Sequence, residues 1–380
     1  MRLLLRKISN KALTFVNHYQ LLRNIYSSAF NRKVLISYIT TPLSKGGGVK
    51  IHTNNHELLA IVEILHSLKY SIDVIDYDIK LKLDFSKYDL IFGFGETFEE
   101  SFNDSSFRGK RVYYATGAHV YWQNSEEIKR IIEFNKRNKS NLVPKRIVPW
   151  NWSMSTAMSD AIIVIGNSWT VSTYKDNCNI PIYAINATGA FYKFDILPQR
   201  NIEEARKSFL WFGSSGLIHK GLDICIDFFS KKEEFHLHIC GPKENDFFKL
   251  YENELNLNNI HYHGFVNTDS DLFQQIVSKC LFSIMPSCSE GQSTALLTTM
   301  GTGLIPIATM QTGIDITSYG FLLDDISECA ISKTIGKINR ISDKELLKMS
   351  SSIFKEIHQK HSLIAFKESF KLLIKNIIWL

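Results

Sequence analysis

Disulfide frameworks, repeats and bilayer-length apolar runs are all missing from this 380-residue chain. The six cysteines, at 178, 225, 240, 280, 288 and 329, form no CxxC pair and no regular spacing. In a chain of this size that pattern suits reduced thiols in a cytoplasm-like compartment. No apolar stretch approaches the ~20 residues that span a bilayer. The opening Met1–Lys7 has too short an apolar block before its charges to read as a signal peptide. Acidic residues are absent from the first 50 positions, which hold nine Lys and Arg.

What remains is a globular composition, 44% hydrophobic and 22% charged, in a length that suits two domains with a core each. Residues 1–186 carry 24 Lys/Arg against 16 Asp/Glu, whereas 187–380 carry 20 against 22. That imbalance predicts an anionic partner for the first half only. Leu5, Ile8, Ala12, Phe15, Tyr19, Leu22 and Tyr26 recur at helical spacing, with Arg2, Lys11 and Arg23 between them. The pattern is that of a basic amphipathic helix, suited to an anionic membrane surface or to packing on its own domain.

Apolar runs of strand length alternate with helical patterns, which predicts parallel sheets built from βαβ units. In the first half strands are expected at Lys33–Thr40, Ser71–Asp76, Leu90–Phe94, Arg111–Ala115, Ala161–Ile165 and Ile182–Ile185. Helices fall at Asn54–Leu68, Ser125–Arg137 and Thr170–Asn177. An irregular stretch, Asn186–Gln199, reads as an interdomain linker. Strands then resume at Phe209–Phe212, Phe235–Cys240, Ile260–Tyr262, Leu281–Met285 and Leu304–Ala308, and 342–380 reads as helix alone. Two doubly wound domains place a ligand crevice between the carboxyl ends of their sheets.

Four loops sit at those carboxyl ends. Glu290–Met300 follows a strand, has Gly291 for close approach of a ligand, and offers Ser293 or Thr294 as a helix cap. Its free N–H groups suit an anion. Phe212–Gly221 is rich in small residues and closes on Lys220, a cation placed to neutralise a leaving diphosphate. Thr41–Val49 contains Gly46, Gly47 and Gly48. Tyr113–His119 ends on a histidine that can hydrogen-bond a sugar or take up a proton.

Other features read as structural. Asp76-Tyr77-Asp78 ends a strand of a doubly wound domain, where an acidic residue needs no metal. His236, His238 and Cys240, with His261 and His263, suit a half-buried sheet as well as a zinc site. The seven basic residues from Lys129 to Arg146 suit a solvated face or an anionic acceptor, and no nucleic-acid motif accompanies them.

Leu210–Gly213, His219-Lys220-Gly221, Leu237–Pro242, His263–Val266 and Ser287–Ser293, in this order, resemble the GT-B glycosyltransferases of family four, also called glycosyl transferases group one. The match runs from about Lys33 to Met310. The resemblance implies an α/β protein with two Rossmann-like doubly wound domains facing each other across a cleft. Its expected parts are a basic N-terminal segment (1–32), an acceptor domain (33–186), a linker (187–207), a nucleotide-sugar domain (208–361) and a final helix (362–380) crossing back onto the first domain.

The implied activity is transfer of a hexose-type sugar from a nucleotide-diphosphate sugar with retention of configuration, in cell-surface polysaccharide synthesis. No cofactor and no metal are expected. The resemblance puts Lys220 on the donor diphosphate, Glu290 on the transferred sugar, and His119 beside the reacting sugar. Gly291, Gln292, Ser293 and Thr294 present the donor loop. Gly241, Phe265 and Val266 border the base, and Gly47 and Gly48 lie near the diphosphate.

Two positions depart from the family pattern. Thr298 stands where a glutamate usually holds the ribose, and Ser214 and Ser215 stand where an arginine is usual. These departures also suit a non-catalytic sugar- or nucleotide-binding subunit of the same shape, and the fold itself also hosts nucleotide-sugar epimerases and phosphorylases. The basic first half and amphipathic start suit a saccharide or lipid-linked saccharide acceptor at the cytoplasmic face of an anionic membrane. No nucleic-acid partner is expected.

Overall fold

The computed structural model describes residues 21–43, 53–150, 152–191 and 193–379. Gly47, Gly48 and most of the N-terminal amphipathic segment lie outside the described residues.

Two six-stranded sheets, parallel throughout, carry the chain. The first contains β1 (Arg32–Tyr38), β2 (Tyr70–Asp76), β3 (Leu90–Gly93), β4 (Lys110–Ala115), β5 (Ala161–Ile165) and β6 (Ile182–Ile185), in the order β2-β1-β3-β4-β5-β6. The second contains β7 (Ser208–Phe212), β8 (His236–Cys240), β9 (Ile260–Gly264), β10 (Phe282–Met285), β11 (Ile305–Ala308) and β12 (Phe321–Leu322), in the order β12-β11-β10-β7-β8-β9. Helices cover both faces, so the strands are apolar on both sides. Val34, Leu35 and Ile36 in β1, like Phe209, Leu210 and Trp211 in β7, are all fully buried.

Eleven strands lie where the alternation placed them, within a residue or two at each end. The twelfth, β12, has only two residues, too few to leave a periodic pattern.

The topology decides where a ligand can sit. In the second sheet the strand order reverses at β7 and β10, so the loops after these two strands diverge and open a crevice. They are the loop ending in Lys220 and the loop of Glu290.

The last helix, Leu363–Trp379, crosses back to the first domain as expected. Phe366, Phe370, Ile374 and Ile377 form its buried stripe. Phe370 meets Phe92 of β3 edge-on, with ring centroids 5.5 Å apart. Lys110 Nζ donates to the Ile377 carbonyl at 2.9 Å. At the crossing, buried His361 bonds through Nδ1 to the Ala187 carbonyl (2.9 Å), and its own carbonyl accepts from the Gly189 amide (3.1 Å). The outgoing linker and the returning chain are thereby tied together.

One helix does something its sequence pattern did not announce. Val120–Asn138 follows β4 of the first domain but packs against the second. Arg130 reaches both carboxylate oxygens of Asp223, at 2.9 and 2.8 Å. Arg137 bonds Asp223 at 2.6 Å and lies 3.2 Å from Asp227. Phe134 stacks on Phe247 with centroids 6.0 Å apart. The basic run from Lys129 is therefore partly consumed in a domain interface. It is neither a wholly solvated face nor an open acceptor patch.

The carboxylates of Asp76 and the histidines of the second sheet also have structural partners. Asp76 accepts from the Thr40 amide (3.1 Å) and hydroxyl (2.9 Å), closing the end of β1. His236 and His261 pair through ring nitrogens at 3.2 Å, as do His238 and His263 at 3.0 Å, and the rings stack as a ladder across β8 and β9. Burial and the neighbouring rings push His238 down to about 3, so a neutral imidazole is the stable form. No helix among the described residues is long and apolar enough to cross a membrane.

Candidate functional site

A cavity of about 670 Å³ opens between the two domains. Ser214, Ser215, Lys220, Gly241, Phe265, Val266, the run Glu290–Thr294 and Thr298 all line it from the second domain. Thr53, Glu57, Thr116, Gly117, Gln123 and Arg146 line it from the first. The sequence motifs of the second domain thus converge on one space.

The loop after β10 is held on both sides. The Glu290 amide donates to the Gln311 carbonyl (2.9 Å), and the Ser293 amide to the Thr312 carbonyl (3.0 Å). Ser293 caps the seven-residue helix Thr294–Met300, accepting from the Leu296 amide. Between them Gly291 touches the first domain. A Cβ there would lie 2.7 Å from the Thr116 carbonyl oxygen and 2.9 Å from that of Ile165. Gly291→Ala is accordingly expected to cost about 1–3 kcal/mol through overpacking, measured by urea unfolding. An unchanged midpoint would mean that the domains part there without penalty.

Lys220 and Glu290, which both line the cavity, form an ion pair. Ser287 Oγ donates to the same Glu290 oxygen at 3.1 Å. Burial alone would raise the Glu290 carboxyl, but Lys220, Arg146 and His219 outweigh it and hold it down to about 2. Burial pushes the Lys220 amine below its ordinary value, with Glu290 pulling the other way. The result is a carboxylate beside a desolvated cation, in a space large enough for a polar ligand.

His219, next to Lys220, is buried and braced across the domain boundary. Nδ1 lies 2.8 Å from Glu127 Oε2, and Nε2 meets the Ser289 carbonyl. Both ring nitrogens thus have polar partners, one from each domain. Glu127, on the Val120–Asn138 helix, uses its other oxygen to accept from the Lys145 (2.7 Å) and Arg146 (3.0 Å) amides. Glu127, His219 and Cys288 are also close enough to share a metal ion. Their donor atoms are already engaged with one another and with backbone, and burial raises the Cys288 thiol well above its ordinary value.

Two of the expected donor-site side chains are engaged elsewhere. Thr298 Oγ1 donates to the Thr294 carbonyl (2.7 Å) and accepts from the Ala190 amide (2.9 Å). Gln292 accepts from the Ala187 amide (2.7 Å) and donates to Asn186 (3.1 Å). Both fasten the linker to the Glu290 loop. Phe265 lies at the other extreme, 84% exposed at the mouth.

His119 is 1% exposed and is not among the residues that line the cavity. It caps the Val120–Asn138 helix, with Nδ1 accepting from the Tyr121 amide at 3.3 Å. Burial lowers its pKa, and Nε2 has no partner among the described residues. Its near neighbours Thr116 and Gly117 do reach the cavity.

Sequence reasoning did not single out Glu57, Glu127 or the individual role of Arg146. Glu57 lies in the helix Thr53–Ser67 and holds the linker through the Thr188 amide (2.8 Å) and hydroxyl (3.0 Å). Burial raises its pKa. A glutamate among largely apolar helix residues carried no motif that could have marked it.

The family model for glycosyl transferases group 1 matches residues 206–338, about a third of the chain, including Lys220, Glu290 and Thr298. The resemblance read from the motifs holds over that segment. No curated protein matches the chain. Among solved structures, sucrose-phosphate synthase from Thermosynechococcus elongatus superposes with a TM-score of 0.64 at 12% identity, covering 92% of this chain and 99% of that one. HepE from Anabaena, in complex with UDP, gives 0.58 at 12% identity, with 91% and 100% covered. TarM gives 0.53 at 14% identity over 78% of this chain and 55% of its own. The fold is GT-B, two Rossmann-like domains facing each other across a cleft.

Proposed function

We propose that the chain is a glycosyltransferase that takes a hexose-type sugar from a nucleotide-diphosphate donor held in the interdomain cavity. The observation that carries this reading is the Lys220–Glu290 pair, set at the strand-order reversal of the second sheet and inside the cavity. A cation and a carboxylate side by side match a sugar diphosphate, one group for the charge and one for the hydroxyls. The group 1 match over residues 206–338 supports it. So does the fold shared with HepE, whose structure is a complex with UDP.

The resemblance to the group one glycosyltransferases implies retention of configuration, and a front-face displacement achieves it without a covalent nucleophile from the protein. The anomeric C–O bond to phosphate breaks and leaves its electron pair on the phosphate oxygen. The acceptor oxygen bonds the same carbon from the same face, and its proton passes to that departing oxygen. Lys220 answers the growing charge, so no metal is required. We assign the acceptor, a saccharide or lipid-linked saccharide, to the first-domain side of the cavity. The basic first half brings the protein to an anionic cytoplasmic membrane face.

Nucleoside diphosphate release from a panel of nucleotide sugars, with and without candidate acceptors, tests the reading. Acceptor-dependent release supports a transferase. Tight binding without turnover across the panel would replace it with a binding subunit. Glu290→Gln is expected to lower kcat/KM for the sugar donor about 10- to 100-fold, the loss of a charge-assisted hydrogen bond, while affinity for the nucleoside diphosphate does not fall. An equal loss of both would remove Glu290 from the sugar.

A further inference from the structure

Among the described residues, Arg146 and Lys220 are the cations that line the cavity, and they come from opposite domains. Arg146 lies along the Phe212–Gly221 loop. A Cβ on Gly216, at φ +88°, would sit 2.4 Å from Arg146 Cγ and 2.8 Å from Cδ. Its charge acts on both members of the ion pair, helping to lower the Lys220 amine and the Glu290 carboxyl.

The backbone at this position is fixed to an unusual degree for a segment without regular structure. The Arg146 amide donates to Glu127 at 3.0 Å, and its carbonyl accepts from Gln123 at 3.1 Å. Two residues on, Val148 exchanges two hydrogen bonds with the Asn124 side chain, each 2.8 Å. Glu127 also braces His219, the residue before Lys220. One buried carboxylate therefore positions both cations. The Arg146 guanidinium, by contrast, makes no hydrogen bond with the described residues, although its backbone is held so firmly.

We propose that Arg146 is the second cation of the diphosphate site, so that a nucleoside diphosphate is gripped by one basic residue from each domain. A guanidinium offers the forked donors that match phosphate oxygens, which the serines at 214 and 215 cannot supply with charge. Two like charges close together in a low-dielectric cleft repel, and a diphosphate between them relieves that repulsion. The ligand is therefore recognised jointly by the two domains. The proposal rests on the cavity being a nucleotide-sugar site.

Isothermal titration of UDP, GDP, ADP and dTDP, and of the matching nucleosides, into wild type, Arg146→Ala, Arg146→Lys and Lys220→Ala tests it. Arg146→Ala is expected to weaken the diphosphate that wild type prefers by about tenfold or more and to flatten its salt dependence. Arg146→Lys should restore part of the affinity, and nucleoside binding should stay unchanged. If Lys220→Ala weakens the diphosphate while Arg146→Ala does not, the proposal fails and the site reading stands. Equal loss of nucleoside and diphosphate binding in Arg146→Ala would mean a structural role and also overturn it. If wild type binds none of the four diphosphates, the site reading fails and takes the proposal with it.

Discussion

Replacing Lys220 by alanine is expected to lower turnover about 10²- to 10³-fold, the loss typical when one preorganised charge-stabilising group is removed from a developing anion. In the proposed transfer, charge on the departing phosphate oxygen is greater in the transition state than in the bound donor, so the effect should fall on kcat more than on KM. The substitution has a second consequence. It leaves Glu290 without its ion-pair partner in the cavity, where Ser287 and Arg146 become its remaining support. Lys220→Ala combined with Glu290→Gln separates the two effects, because it removes the unpaired carboxylate and leaves the missing cation. Nucleoside diphosphate release should remain depressed in the double variant. Recovery to the Glu290→Gln rate would show that Lys220 serves only to neutralise Glu290, and its role on the diphosphate would be lost.

Asp223→Ala is expected to cost about 3–5 kcal/mol of stability, the penalty of leaving a buried charge without its partner. The Asp223 side chain is fully buried and binds Arg130, itself 5% exposed, as well as Arg137. Removing it leaves the buried Arg130 guanidinium with only the exposed Glu133 carboxylate and the Ile218 carbonyl, at 3.3 and 3.4 Å. The damage should concentrate at the Val120–Asn138 helix, because the same helix carries Glu127 and so supports both cations of the cavity. Urea unfolding measures the loss. Asp223→Leu with Arg130→Met should recover much of it, since an apolar pair avoids the desolvation penalty of a buried ion pair. A loss below about 1 kcal/mol for Asp223→Ala would place the pair among screened surface contacts.

Legibility of the fold followed the range of the forces involved. Strands such as Ala161–Ile165 and Ile182–Ile185 lie where their apolar runs put them, because burial on both faces writes itself into consecutive residues. The second-domain site residues were legible for a related reason. Glycines at a strand end, a helix cap and a lysine before a helix are local devices, and the chain order of their motifs is itself a pattern. The Val120–Asn138 helix shows the opposite case. Its basic residues look like a solvated face, since nothing near them in the chain shows that Asp223 waits about ninety residues later. Thr298 is similar: in the chain it is a missing acid, and in the structure its hydroxyl holds the Ala190 amide of the linker.

From its sequence alone this protein is two doubly wound domains with a Lys220 and Glu290 loop pair at the carboxyl edge of the second, because hydrophobic periodicity and loop chemistry are set by near neighbours. Tertiary structure alone decided that Glu127 braces the segments of both cations, that Arg146 faces Lys220 across the cleft, and that Asp223 bolts the first domain to the second. Those contacts join residues tens of positions apart, and their stabilisation depends on burial created only when the domains meet.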